Sequence, residues 1–326
     1  MEFFFILFPF IVLTILMVFA NLEAQSPVFR VIAYLGVITV SSLLVLVGAS
    51  VGSLLLVADP ADVGMDPAML EATGMLMRVI GVAGLLSFLP LLRPVRKLLA
   101  RVMPIDPEST VHTTALVYAV YLLGLSLGQL PLLSDPAMVE GLDMQVSSSL
   151  IWAQAFGMIM LTLPGVGAFL RRTGPETLDR LGLKPLTLRH LLIAGGSILG
   201  LMLLQVGVSL AWQAIDPASF QQIGDANNLL LGEMTGLGAA LTIGLAAALS
   251  EELLFRGALQ PRFGLLITAV LFTLIHSQYG LSFATALILL IALVLGVLRS
   301  RTTLTVCILV HFGYNFLSVL FASSLP

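Results

Sequence analysis

The sequence contains very few charged residues. Only 10% of its 326 residues are Asp, Glu, Lys or Arg, whereas 58% are hydrophobic. Soluble domains carry about 25% charged residues, so this composition excludes a soluble domain. The net charge of −3 also argues against a nucleic-acid partner, because binding to nucleic acid requires a clustered basic surface.

Cysteine is almost absent as well. The chain has one cysteine, Cys307, which excludes an internal disulfide and a metal site built from several cysteines. Because Cys307 lies inside the last apolar run, we predict that it packs between helices.

Long apolar runs are what the sequence has in abundance. Ten of them approach or exceed the roughly 20 residues of a membrane-spanning helix. They cover residues 3–21, 31–57, 75–92, 111–133, 146–170, 190–213, 234–260, 264–280, 282–299 and 302–323. The first run has Glu2 and no Lys or Arg before it, which favours a spanning helix over a signal peptide. We therefore predict an all-α, polytopic transmembrane bundle of about ten spans.

The basic residues are sorted by segment. Fourteen of the 15 Lys and Arg lie in alternate connections, at 22–30, 93–110, 171–189, 256–263 and 299–301. Cytoplasmic loops carry the excess of positive charge, so these segments are predicted to be cytoplasmic and both termini to lie outside. These basic segments could also meet anionic lipid headgroups of the bilayer.

The two halves of the chain differ in polarity. Up to residue 145, Arg78 is the only Asp, Glu, Lys or Arg inside an apolar run, so we interpret 1–145 as N-terminal scaffold helices. The polar stretch at 171–190 leads into runs that carry several ionisable residues. We therefore predict that residues 146–326 contain the functional site.

Three ionisable residues interrupt the seventh apolar run, L-A-A-A-L-S-E-E-L-L-F-R-G. A charge at the centre of a spanning helix costs about 2.5–3.5 kcal/mol, so these residues need a structural or functional reason. Glu252 and Arg256 are four residues apart and share a helix face, which predicts an ion pair. Glu251 has no such local partner. It is the better candidate for a general base, with a hydrogen bond to a neighbouring helix as the alternative.

Two later runs carry polar side chains that could complete a catalytic set. His276 ends F-T-L-I-H, and His311 and Asn315 share one face of the last run in H-F-G-Y-N. Glu251 with His276 could hold and deprotonate a water, while His311 and Asn315 donate to the oxyanion of an amide under hydrolysis. Counting from the cytoplasmic ends places His276 deeper than the others unless its span begins late or tilts.

A zinc site is the alternative use of the same atoms. Glu251, His276 and His311 form an open ligand set of one carboxylate and two imidazoles. The H-E-x-x-H spacing is absent, so the sequence alone does not select this interpretation.

Three short motifs carry a family resemblance. The patterns are E-E-x-x-x-R at 251–256, F-x-x-x-H at 272–276 and H-x-x-x-N at 311–315, in order on successive apolar runs. They resemble the motifs of the CPBP family of CAAX-processing and bacteriocin-processing intramembrane endopeptidases, also called the abortive-infection family. D-R-L-G-L-K-P at 179–185 resembles the segment before that domain, so the resemblance covers roughly 175–322.

The resemblance implies a function and a set of roles. It implies an all-helical fold that encloses an intramembrane polar cavity, with Glu251 and His276 activating water and His311 and Asn315 stabilising the oxyanion. Supporting roles fall to Glu252, Arg256 and Phe272. The cofactor stays open between none and zinc.

The resemblance also implies a substrate class and a location. The substrate would be a membrane protein or a lipidated or hydrophobic peptide, cleaved in CAAX-type C-terminal processing or a related maturation. The expected location is a bacterial plasma membrane. A non-catalytic membrane scaffold or peptide-binding protein that retains the motifs is the alternative. A proton-coupled transporter is a third interpretation, but no repeat symmetry supports it.

Overall fold

The computed structural model describes residues 2–142, 145–232 and 234–322. Within these ranges the chain forms helices and no β-strand. The first half contains α1 (Glu2–Leu22), α2 (Pro27–Val57), α3 (Pro60–Val63), α4 (Pro67–Leu86), α5 (Arg93–Leu99), α6 (Thr110–Leu133), α7 (Pro136–Gly141) and α8 (Ser148–Gly165). The second half contains α9 (Gly174–Leu181), α10 (Leu188–Ile215), α11 (Pro217–Leu231), α12 (Gly236–Glu251), α13 (Gln260–Phe263), α14 (Leu265–Leu274), α15 (Phe283–Arg301) and α16 (Leu304–Ala322).

The predicted all-α polytopic bundle is confirmed, but the count of about ten spans is not. In the described part of the chain, seven helical segments are long and apolar enough to cross a membrane. The eighth run differs most from expectation, because α14 has only 10 residues and spans about 15 Å, half of the hydrocarbon core of about 30 Å. The helix ends at Leu274, and the short irregular segment that follows contains the polar residues His276, Ser277 and Gln278.

Aspartate followed by proline starts four of the helices. In each, the aspartate carboxylate caps the helix by accepting a hydrogen bond from a backbone N–H two or three residues later, at 2.8–3.1 Å. Proline fits directly after the cap because it has no N–H to leave unpaired and its φ is helical. These caps are Asp59, Asp66, Asp135 and Asp216. The acidic connections therefore serve a local structural purpose.

The structure sorts the basic and acidic connections to opposite ends of the bundle. At one end Arg180 Nη1 donates to the carbonyl of Gly257 at 3.0 Å, which joins two predicted cytoplasmic segments. At the other end Val146 N donates to the carbonyl of Leu230 at 2.9 Å. The charge pattern of the sequence predicts this grouping. The cytoplasmic assignment of the basic end stays a prediction. The boundary at 145/146 also stays a prediction. Helices on its two sides pack together, because α1 contacts α8.

Glycines bring α2 and α4 into close contact in the N-terminal half. A Cβ placed on Gly48 would lie 2.4 Å from the Cα of Gly81. Backbone atoms cannot yield in the way that the end of a flexible side chain can, so only glycine fits there. This contact fixes the distance between α2 and α4.

We expect Gly48→Val to destabilise the protein by about 1–3 kcal/mol, because overpacking would push α2 away from α4. Thermal unfolding in detergent measures this effect. Gly196→Val is the matched control, since nothing lies within 4 Å of a Cβ at Gly196. Equal melting temperatures for the two variants would contradict the tight contact.

Candidate active site

The helix that carries the two glutamates changes its geometry directly after Glu251. Residues Glu252–Leu259 form a π-helix between α12 and α13, and the N–H of Gln260 bonds to the carbonyl of Phe255, five residues earlier. Single π turns inside α-helices occur frequently at functional sites. The altered winding sets the directions in which the glutamates and Arg256 leave the helix.

Pro261 explains how this π-helix is held in place. Proline has no N–H, so it cannot donate to Gly257 four residues earlier or to Arg256 five residues earlier. Arginines from other helices supply donors instead. Arg180 Nη1 lies 3.0 Å from the Gly257 carbonyl, and Arg299 Nε lies 3.2 Å from the Arg256 carbonyl. The π-helix is therefore anchored to α9 and α15.

The predicted ion pair between Glu252 and Arg256 is present. Arg256 Nη1 lies 3.1 Å from Glu252 Oε1, and the two side chains are 1% and 0% exposed. Arg256 also donates through Nη2 to the carbonyl of Ala292 at 3.3 Å, and its guanidinium carbon lies 4.1 Å from the centre of the Phe272 ring. Phe272 thus adds a cation–π contact to a buried charge.

Glu252 has a second partner, which the sequence did not reveal. His311 Nδ1 donates to Glu252 Oε1 at 2.9 Å, which links α16 to the π-helix. The two residues are 59 positions apart, so no local spacing could have predicted the bond. Since Nδ1 faces a carboxylate, Glu252 fixes the orientation of the imidazole, and its Nε2 faces the other glutamate.

Glu251 is buried and its Oε2 atom is unpaired. The residue is 9% exposed, and Oε2 makes no hydrogen bond to any of the described residues. His311 Nε2 lies 4.0 Å from Oε2, which is too long for a direct hydrogen bond. Oε2 therefore lacks the hydrogen bond to a neighbouring helix that would have given it a purely structural role.

His276 lies just after the end of α14 instead of within a helix. Its backbone has φ −98° and ψ 44°, and its Nδ1 donates to the carbonyl of Phe272 at 2.9 Å. That bond leaves Nε2 as the acceptor of a neutral ring. Measured along their helices from the basic end, His276 and Glu251 lie at similar depths of about 16 Å and 18 Å. The helix of Glu251 continues to Phe263, which removes the mismatch in depth expected between Glu251 and His276.

Asn315 lies one helical turn beyond His311 on α16 and is half-buried. Its amide makes no hydrogen bond within the ranges that the structure describes. The donor is therefore available to a bound molecule.

All four predicted catalytic side chains line one cavity of about 1650 Å³. Helices that precede residue 234 also line the cavity, through side chains that include Phe10 of α1, Tyr118 of α6 and Met158 of α8. The four polar catalytic candidates therefore lie in a cavity whose lining is mostly apolar. This is the usual construction of a site that binds and orients an apolar ligand.

The side chains do not fit the zinc site considered from the sequence. Among the described residues, no three His, Cys, Asp or Glu side chains form a group that could hold a metal ion. We therefore derive no step through a metal.

The segment that carries these side chains matches a known protein family. Residues 234–317 match the family model described as type II CAAX prenyl endopeptidase Rce1-like. Over this segment the chain is similar to the Rce1-like family. The match includes all four predicted catalytic residues and agrees with the resemblance drawn from the three motifs. Comparison with curated proteins and with solved structures found no match.

The matched segment begins just before α12 and ends within α16. It supports a membrane endopeptidase in general, and the seven apolar helices support an integral, multi-pass membrane protein. The helices before residue 234 lie outside the match, yet several of them wall the cavity.

Proposed function

We propose that this protein is an intramembrane endopeptidase that hydrolyses a peptide bond with a glutamate-activated water. The observation that carries the proposal is the buried, unpaired Oε2 of Glu251, which lies 4.0 Å from His311 Nε2 on the wall of the cavity. An unpaired carboxylate oxygen costs free energy when it is buried. Ionisable residues at membrane depth are commonly functional, which explains why such a cost is retained.

Glu251 and His276 act on the water. Glu251 Oε2 accepts one proton of the water, and His276 Nε2 accepts a hydrogen bond from the other, because its Nδ1 proton is held by the Phe272 carbonyl. The water oxygen then bonds to the carbonyl carbon of the scissile amide. Glu251 holds the proton that this step releases.

His311 and Asn315 stabilise the oxyanion. The attacking oxygen and the carbonyl oxygen share one carbon in the tetrahedral intermediate. A base and a donor 4.0 Å apart can therefore contact one oxygen each. His311 donates from Nε2 when both its nitrogens carry protons. In that form it brings the buried group of Glu251, Glu252, Arg256 and His311 to zero net charge.

Collapse of the intermediate completes the reaction. The carbon–nitrogen bond breaks, and the leaving amine takes the proton that Glu251 holds. The second proton of the water stays on the new carboxylic acid and then passes to the amine. The products are therefore a carboxylate and an ammonium group, and Glu251 returns to its ionised form.

The mostly apolar cavity favours a membrane protein or a lipidated or hydrophobic peptide as substrate, as in CAAX-type processing or a related maturation. We propose that residues 146–326 act as the protease region and 1–145 as the scaffold. We also propose a bacterial plasma membrane location, with both termini outside.

Cleavage by the purified protein in detergent tests this function. The substrates are a farnesylated CAAX peptide and a panel of unmodified hydrophobic peptides, with products identified by mass spectrometry. Cleavage of either class supports an endopeptidase and defines its substrate. A folded protein that binds these peptides and cleaves none would favour the peptide-binding alternative.

We expect Asn315→Ala to lower kcat by about 10²–10³-fold with little change in KM, because it removes one oxyanion donor. Steady-state kinetics on the best peptide measures both constants. Asn227→Ala is the matched control, since Asn227 lines the same cavity but donates to the carbonyl of Ile223. An equal loss in both variants would refute a specific role for Asn315.

A further inference from the structure

A tyrosine that the proposed reaction does not use lies among the catalytic side chains. Tyr279 follows His276 by three residues, in the single 3₁₀ turn Ser277–Tyr279 that comes after α14. It is half-buried and lines the same cavity as the four catalytic candidates. Its side chain can therefore meet a molecule bound in that cavity.

Hydrogen bonds hold this turn in one conformation. Tyr279 N donates to the carbonyl of His276 at 3.2 Å, and the hydroxyl of Ser282 donates to the carbonyl of Tyr279 at 2.7 Å. Gly280 then redirects the chain with φ 57° and ψ −152°, a conformation that residues with a Cβ rarely adopt. The turn also packs against α6 and α11. The backbone therefore fixes Tyr279 and His276 relative to each other.

The ring of Tyr279 stacks on the imidazole of His276. The two ring centres are 6.5 Å apart, and the ring planes differ by 23°. His276 packs in turn on Phe272, with ring centres 5.0 Å apart, and Phe272 packs on His311, with ring centres 5.9 Å apart. Tyr279 thus belongs to one row of packed rings that includes both candidate catalytic histidines.

The hydroxyl group of Tyr279 lies near polar groups of two other helices. Glu251 of α12 and Tyr314 of α16 interact with it electrostatically, and the side chain of Gln278 lies beside it. Among the described residues, no direct hydrogen bond joins Tyr279 to Glu251. Because both side chains line the cavity, a bound molecule can lie between them.

Amide hydrolysis has one step for which this position is suited. An amine is a poor leaving group until its nitrogen carries an extra proton. When water attacks the carbonyl carbon, the lone pair that develops on nitrogen points away from the attacking oxygen. Glu251 contacts that oxygen, so it cannot reach the lone pair until nitrogen inverts. A neutral phenol elsewhere in the cavity is a proton donor that approaches nitrogen from another direction.

We propose that Tyr279 is a further catalytic residue, which gives its hydroxyl proton to the leaving nitrogen of the scissile amide. The proton moves to nitrogen as the carbon–nitrogen bond breaks, and the carboxylic acid of Glu251 returns a proton to the phenolate. Tyr279 is then neutral again and Glu251 is ionised, so the net transfer is still from Glu251 to the amine. This role rests on the proposed peptidase function.

The leaving group decides whether this proton is needed, and that difference tests the proposal. The purified protein is given its best peptide substrate and, separately, the 4-nitrophenyl ester of the same acyl part. Nitrophenolate leaves without a proton, whereas an amine does not. We expect Tyr279→Phe to lower kcat by about 10²-fold for the peptide and by less than about 3-fold for the ester. Phenylalanine keeps the ring that stacks on His276.

Tyr118→Phe is the matched control. Tyr118 lines the same cavity, but its hydroxyl donates to the carbonyl of Leu13 at 2.7 Å. We expect this variant to keep the ratio of peptide to ester turnover of the unsubstituted protein, even if it loses stability. Both rates come from one preparation, so any unfolded fraction cancels from the ratio. Glu251→Gln should slow both reactions, because attack on either carbonyl needs the base.

Two results would overturn the role of Tyr279 while the peptidase function stands. One is an equal loss on peptide and ester in Tyr279→Phe, which would assign the residue to packing. The other is turnover of both substrates at the original rates. If the unsubstituted folded protein cleaves no peptide, the peptidase function fails, and the role of Tyr279 fails with it. The unsubstituted protein therefore distinguishes the two failures.

Discussion

Glu251→Gln is expected to lower kcat for peptide cleavage by about 10²–10⁴-fold, because glutamine cannot accept the proton of the attacking water. The change keeps the shape of the side chain, and Oε2 has no hydrogen bond to lose among the described residues. The melting temperature should change little, because no hydrogen bond of Oε2 is lost. Peptide binding should persist. Steady-state kinetics, peptide titration and thermal unfolding in the same detergent check these three expectations.

The matched control is Glu108→Gln, which alters a glutamate whose side chain is 56% exposed and pairs with Arg93 at the surface. We expect this variant to keep full activity. Two results would count against Glu251 as the base: a variant that cleaves at the original rate, or one that loses activity only because it unfolds. A fall in melting temperature would assign the carboxylate a structural role.

Arg256→Gln is expected to reduce the free energy of unfolding by about 3–5 kcal/mol, because it leaves the Glu252 carboxylate buried without its cation. The loss should be large because neither side chain reaches solvent: Arg256 is 1% exposed and Glu252 is 0% exposed. The contact with the Phe272 ring is lost as well. Denaturant or thermal unfolding in detergent micelles measures the change.

A double variant separates stability from activity. Glu252→Gln combined with Arg256→Gln removes both charges and should recover much of the stability, as replacement of a buried ion pair by neutral groups often does. Activity should stay low, because His311 loses the carboxylate that orients its Nδ1. A double variant that regains both stability and turnover would show that the Glu252–His311 bond is unimportant for catalysis.

Part of the candidate site follows from local spacing. Glu252 and Arg256 are four residues apart, and their ion pair forms even though the intervening helix is π-wound. His311 and Asn315 share a face of α16 for the same reason, and both line the cavity. Contacts within one helix depend on its periodicity, which the sequence displays directly.

Other parts of the site could not be found in this way. The bond from Glu252 to His311 joins residues 59 positions apart. The position of His276 depends on how the chain continues after α14 ends at Leu274. Four arginines line the cavity, and they come from two separate basic segments of the sequence, 171–180 and α13. These features depend on how helices pack, and no local pattern encodes that.

The sequence by itself determined that this is an all-helical membrane protein, which polar side chains lie at depth, and how its charges divide between connections. It could do so because transfer into a bilayer is nearly additive over residues and helix faces repeat at a fixed period. Only the tertiary structure showed that the eighth apolar run forms a helix of just 10 residues. It alone placed Glu251 opposite His311 and directed four arginines into the same cavity. Those relations depend on contacts between distant helices, whose free energies come from packing, hydrogen bonding and charge that no single segment contains.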